Sequence, residues 1–358
     1  MKYRLVCFLA ATVVLGCPVL ILAADAPSAP ASPLAPVNTD AAVNRDNVVV
    51  DEKTDVVIKG ALKYLAIKQT ANGSWTSGGN EHAVAITAYT LMAFLAAGNV
   101  PGEGEYGRVV GRGTQYLVDS VNAEGFINAN NSANNMYGHG IATIALGEIY
   151  GQSRDPKLRP KLEAAIKLII KCQNQQGGWR YQARVMDGDI SVTVLQCVAL
   201  RAAKNAGVDV PQATIDQAVK FVKACYDANS GGFCYQPHSG PGFARTAAAV
   251  YSLQVCGLYD DPMVKNGAVY LMAAKAGRGD PWLTYGHFYA APAMYMIGGS
   301  DWKDWYETIQ KTLVAAVKRD AELYYWDPLD GKVGQVYATS VYTTILAMPY
   351  HYIPLYQR

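Results

Sequence analysis

Two copies of a Tyr-Gly-His tripeptide, Tyr137-Gly138-His139 and Tyr285-Gly286-His287, each open a stretch of small and apolar residues. An imidazole can take or give a proton near neutral pH, so His139 and His287 are candidates for ligand contact and weaker candidates for catalysis. Aligning comparable stretches puts Arg245, Thr193 and Thr339 at the matching places. One layer would then hold two imidazoles, a guanidinium and two hydroxyls. Arg245 would attract an anionic or strongly hydrogen-bonding group. His82 opens a further stretch a turn earlier, nearer a rim. The plainer role for each histidine is to satisfy a local backbone group or cap a turn.

The main acidic element is Asp187-Gly188-Asp189-Ile190-Ser191. A carboxylic acid kept protonated by burial and neighbours can act as a general acid, which makes Asp187 and Asp189 weak catalytic candidates. Asp189 also fits an ordinary helix N-cap or a binding role. Tyr285, Phe288, Tyr289, Tyr295, Tyr337 and Tyr342 supply rings that could stabilise cations, stack on sugars or fill a core. The expected ligand-binding set is His82, His139, Asp189, Arg245, Tyr285, His287 and Tyr337.

Other chemistry lacks its signature. His139 and His287 would need a third ligand to hold zinc, and no CxxC pair is present. Asp327-Pro328-Leu329-Asp330-Gly331 does not complete a calcium loop and reads as a connector. There is no phosphate-binding P-loop and no G-x-S-x-G elbow. We expect no metal and no cofactor.

The elements that must position these residues recur. Turn aromatics at Trp75, Phe126, Trp179, Phe233, Trp282 and Trp326 are spaced 51, 53, 54, 49 and 44 residues apart. A period near fifty accommodates a pair of helices. The first helix of each pair is expected at 55–68, 109–121, 160–173, 213–226, 262–275 and 303–319. The second is expected at 82–97, 138–150, 189–205, 243–256, 286–297 and 337–348. The first set carries a charged face, as in Lys161, Glu163, Lys167 and Lys171, and suits an outer position. The second set is rich in Ala, Thr, Val and Leu and suits an inner one. Six pairs without polar capping repeats predict an all-α protein, a single closed (α/α)6 toroid rather than an open superhelix.

Gln69-Thr70-Ala71-Asn72-Gly73-Ser74-Trp75 and Gln173-Asn174-Gln175-Gln176-Gly177-Gly178-Trp179 both fit the repeat motif QxxxGxW. On these residues the chain resembles the prenyltransferase/squalene-oxidase-repeat proteins of the terpenoid-cyclase and protein-prenyltransferase superfamily, over about residues 53–349. The resemblance implies the toroid, gathers the N-terminal ends of the inner helices at one mouth, and makes Gln69, Trp75, Gln173 and Trp179 structural. It does not carry activity across. Class II terpene cyclases use a DxDD motif; here Asp187 and Asp189 match two positions and Ile190 replaces the last acid. Squalene-type cyclases also enclose substrate between two helical domains, whereas this chain has room for one ring. The D-x-C zinc element of protein prenyltransferases is missing.

At the N-terminus, Lys2 and Arg4 precede an apolar run from Leu5 to Ala24, which reads as a signal peptide over 1–24. An uncleaved anchor would be the only membrane contact. Val14-Leu15-Gly16-Cys17 is a poor lipidation site because the apolar run continues past it. Residues 25–52 read as a flexible Pro/Ala-rich linker, and 53–358 as the toroid with its C-terminal tail packed on it. The 358 residues include 31 basic and 29 acidic ones; removing 1–24 takes two basic residues and leaves equal numbers. A neutral chain without a basic block excludes nucleic-acid binding by a general field. Cys172, Cys197, Cys225, Cys234 and Cys256 remain, and Cys225 and Cys234 could pair across a short loop. The expected protein is exported, periplasmic or extracellular, and binds a saccharide, lipid or peptide in a central cavity. The alternative is a carbohydrate-active hydrolase or lyase, with a terpene-cyclase-like enzyme further behind.

Overall fold

The six stretches rich in small residues have little amphipathic asymmetry because they are covered on every side. They form the inner helices α2 (Ala83–Ala96), α4 (Met136–Ser153), α6 (Ile190–Asn205), α8 (Phe243–Val255), α10 (Leu283–Ile297) and α12 (Gln335–Ala347). The charged-faced stretches form the outer helices α1 (Glu52–Ile67), α3 (Gly107–Asp119), α5 (Leu158–Cys172), α7 (Gln212–Ala224), α9 (Pro262–Ala273) and α11 (Gly299–Ala316). Each inner helix packs on the next, and α12 packs back on α2, which closes the ring. The protein is an (α/α)6 toroid. This computed structural model describes residues 48–77, 82–128, 136–274 and 280–357. The segments expected as signal peptide and, up to residue 47, as linker fall outside the described residues. Among those residues no helix is long and apolar enough to cross a membrane.

One element departs from expectation. The last outer helix ends at Ala316, and β1 (Lys318–Asp320) pairs antiparallel with β2 (Leu323–Tyr325). This hairpin lies on α1, where Tyr325 stacks on Tyr64 at 5.0 Å.

The turns between outer and inner helices are built alike. The indole nitrogens of Trp75, Trp179 and Trp326 donate to the backbone oxygens of Leu65, Ile169 and Leu313, at 2.6, 2.8 and 2.8 Å. Gln69 donates to the oxygens of Gly73 and Val109, and Gln173 to those of Gly177 and Thr214. Each glutamine thus ties its own turn to the next outer helix. Gly177 sits at φ +95°, and a Cβ there would meet the Gln217 oxygen at 1.8 Å, so only glycine lets the turn touch its neighbour.

A further bond fixes each turn to its inner helix. The backbone N–H groups of Trp75, Trp179, Phe233 and Trp326 donate to the hydroxyls of Thr87, Thr193, Thr246 and Thr339, at 2.9 to 3.1 Å. In the second repeat the donor is Ile127 and the acceptor is Nδ1 of His139, at 3.2 Å. This corrects two expectations. The turn residue of repeat two is the buried Ile127, not the half-buried Phe126. The register residue of repeat four is Thr246, so Arg245 stands one position off it.

Candidate functional site

The inner helices all present their N-terminal ends at one mouth, around a cavity of about 900 Å³. The register position, bonded to its turn in five repeats and occupied by His287 without such a bond in the fifth, explains which side chains face it. Two residues before Thr87, His139, Thr193, Thr246, His287 and Thr339 stand Ala85, Tyr137, Ser191, Ala244, Tyr285 and Tyr337, and all six line the cavity. Two residues turn a helix by about 200°, so the register side chains point outward and those two earlier point to the axis.

The Tyr-Gly-His pairs therefore divide their roles. Tyr137 and Tyr285 meet edge-on across the axis at 6.4 Å. The Tyr137 hydroxyl bonds that of Ser191 at 2.5 Å, and the Tyr285 hydroxyl donates to the Ser191 backbone oxygen at 2.7 Å. Tyr89 packs edge-on against Tyr337 at 5.0 Å, and Tyr289 against Tyr285 at 4.8 Å. Tyr89, Tyr137, Tyr285 and Tyr337 line the cavity. His139 and His287 do not line the cavity, which corrects the shared mouth layer. His139 is fully buried between the Ile127 N–H and the Ala165 carbonyl. His287 is buried against Phe243 and Trp305, with no hydrogen-bond partner among the described residues. Burial pushes both imidazoles down to about 4.

His82, Arg245, Tyr285 and Tyr337, from the expected set, do line the cavity. Asp189 does not. It caps α6, accepting from Val192 N–H at 3.0 Å and from the Ser191 hydroxyl at 2.6 Å. Its other oxygen lies 3.2 Å from the Arg180 guanidinium. Burial raises its carboxyl above the ordinary value. Asp187 also lies outside the lining and pairs with Arg180 at 2.6 Å. Arg180 reaches the cavity between the rings of Tyr181 and Tyr235, 4.9 and 5.7 Å from their centroids.

Several lining residues carry no signal in a single repeat. Trp282, expected as a turn aromatic, is 53% exposed at the mouth, with the Lys332 ammonium 3.8 Å from its ring centre. Asp280 accepts from the N–H groups of Ala244 and Trp282, at 3.3 and 2.8 Å. Asp330, read as part of a connector, accepts from those of Thr284 and Lys332, at 2.9 and 3.0 Å. Asp280 thus joins the start of α8, next to Arg245, to Trp282, and Asp330 joins the start of α10 to Lys332.

Among the described residues no group of three His, Cys, Asp or Glu could hold a metal ion. Cys225 and Cys234 stand across a short bridge as thiols, and Cys172, Cys197 and Cys256 are thiols as well.

No protein-family profile and no curated protein matches this chain. Solved structures do. The alpha-1,6-mannanase GH76A of Salegentibacter sp. HEL1_6 superposes with a TM-score of 0.65 at 9% identity, over 84% of this chain and 99% of that one. Cellobiose 2-epimerase from Bacillus thermoamylovorans B4167 gives 0.63 at 14% identity, over 83% and 98%. The family 76 glycoside hydrolase Bt3792 of Bacteroides thetaiotaomicron gives 0.56 at 11%, over 83% and 97%. At such identities the likeness is one of fold, and it identifies this chain as an (α/α)6 toroid of the same architecture as these proteins.

Proposed function

We propose that this chain is an exported carbohydrate-active protein whose axial cavity takes a saccharide. The observation that carries the reading is the lining itself. An exposed indole and a wall of tyrosines offer stacking faces, and Arg245, Asp280, Asp330 and Asn128 offer polar groups at the same opening. Apolar walls with a few convergent polar groups are the ordinary make-up of a small-ligand site. The mannanase and epimerase likenesses support a sugar over a lipid or a peptide. The QxxxGxW copies support descent from the repeat proteins named above, without their chemistry. A cyclase reading loses its acid, because Asp189 lies behind Arg180 rather than in the cavity.

Asp280 and Asp330 favour a second reading within the same site, a glycoside hydrolase. That reaction needs two carboxyl groups flanking the scissile bond, and these are the two carboxylates among the described lining residues.

The test is calorimetric titration of an oligosaccharide panel into the native protein and into Trp282→Ala. Because Trp282 is exposed, the variant is expected to keep its melting temperature and lose about five- to thirtyfold in affinity, as a stacking contact of about 1–2 kcal/mol implies. Unchanged affinity would remove the cavity from consideration. Release of new reducing ends that stops in Asp330→Asn would establish the hydrolase.

A further inference from the structure

We propose that the saccharide carries a negative charge, a carboxylate or a sulfate, and that Arg245 and Lys332 read it. The inference rests on the saccharide reading and adds its chemical class.

Four carboxylates stand in or just behind the lining. Asp187 is paired with Arg180. Asp189 is shared between Arg180 and the start of α6. Both oxygens of Asp280 accept backbone N–H groups at the starts of α8 and α10, and Asp330 accepts one at the start of α10 and the Lys332 N–H ahead of α12. The N-terminus of a helix carries about half a positive charge, so these two anions are matched to helix ends.

On the other side of the account, Arg180 is spent. Arg245 and Lys332 are not: among the described residues neither has a carboxylate within 4.0 Å. Arg245 gives Nη1 to the Gly240 oxygen at 2.8 Å, which fixes the guanidinium and leaves donors free. Lys332 rests on the face of Trp282. Both side chains are half-buried, so an anion bound there would be only partly hydrated and its contacts correspondingly stronger.

Their placement is as telling as their number. Asp280 joins Ala244, the neighbour of Arg245, to Trp282, Asp330 joins Thr284 to Lys332, and all three of Arg245, Trp282 and Lys332 line the same cavity, with the ammonium on the indole. A sugar ring stacked on Trp282 would set an acidic substituent beside a guanidinium or an ammonium. A fully neutral sugar would leave both charges without a partner in the closed complex, which costs affinity.

The experiment compares trigalacturonate and a κ-carrageenan tetrasaccharide with neutral galactotriose, titrated into native protein, Arg245→Gln and Lys332→Gln. An acidic probe is expected to bind at least about tenfold tighter than the neutral one. That advantage should shrink on raising salt from about 50 to 300 mM and fall in both variants. The carboxylate and sulfate arms decide which group is read. Galactotriose binding as tightly as both acidic probes, with no effect of either variant, would overturn the charge assignment and leave the saccharide reading standing. Binding of no probe would overturn both. Should Arg245→Gln melt early, Lys332→Gln alone decides.

Discussion

His139 and His287 look catalytic in the sequence because histidine is scarce and both copies sit in the same tripeptide. Their surroundings give them a different task. Four repeats place threonine at the register position, and His139 accepts the same turn N–H that a threonine hydroxyl accepts elsewhere. The acceptor must be neutral at Nδ1, and burial holds it so, with the imidazole depressed from 6.5 to about 4. The unfolded chain therefore binds a proton near pH 6.5 that the folded chain refuses until about pH 4. Stability contributed by the neutral ring is full above pH 6.5 and is lost as pH falls, by about 3 kcal/mol for each such histidine. His139→Thr restores the acceptor used by the other repeats. It is expected to cost about 1–3 kcal/mol at pH 8 through lost packing. It should also be less acid-sensitive than the native chain between pH 6.5 and 4.5 in urea unfolding. An unchanged acid slope would mean that His139 is not held neutral by the fold.

At the scale of the elements, the helix pairs were legible because each repeat restates them. The inner helices announce themselves by small residues on all faces, the outer ones by a charged stripe, and the turns by aromatic and glycine. Orientation within a helix was harder to read. In repeat four the counterpart of the histidines is Thr246, one residue beyond Arg245. Within Tyr-Gly-His the histidine lies on the face turned away from the cavity. The tyrosine two positions earlier carried the information: Tyr137, Tyr285 and Tyr337 all precede a register residue by two. Asp280, Trp282 and Lys332 lie in connections between helices, where no period constrains position, and nothing local sets them apart from ordinary capping residues. The turns, by contrast, are constrained tightly enough to test. Gly177→Ala must carry a side chain at φ +95° and push into the Gln217 oxygen. Strain of this kind costs about 1–3 kcal/mol before the clash is counted. A drop in unfolding free energy of at least about 2 kcal/mol is expected. Near-native stability would show that α5 and α7 can part at this turn without loss.

The whole ring has two unlike ends, and the difference separates stability from binding. The cavity occupies the end formed by the N-termini of the inner helices. At the other end the C-terminal segment lies over their C-termini, burying Ile353, Leu355 and Tyr356. Glu148, near the C-terminal end of α4, accepts the Leu355 N–H at 3.3 Å and lies near the phenols of Tyr251 and Tyr356, with Arg201 acting on the Tyr251 phenol. Burial outweighs that single bond and raises its carboxyl from 4.5 to about 7. An unfolded chain sheds this proton near pH 4.5, whereas the folded chain keeps it until about pH 7. Burial of Glu148 therefore costs little below pH 4.5. The penalty grows through the interval and reaches about 3 kcal/mol above pH 7. Glu148→Gln keeps an oxygen for Leu355 and removes the titration. The variant should match the native chain near pH 4.5 and exceed it at pH 8 by up to about 3 kcal/mol in urea unfolding. Saccharide affinity at the far end of the ring should stay the same. A stability difference that does not vary with pH would mean that Glu148 ionises freely in the folded chain, and that the C-terminal segment does not seal this end against water.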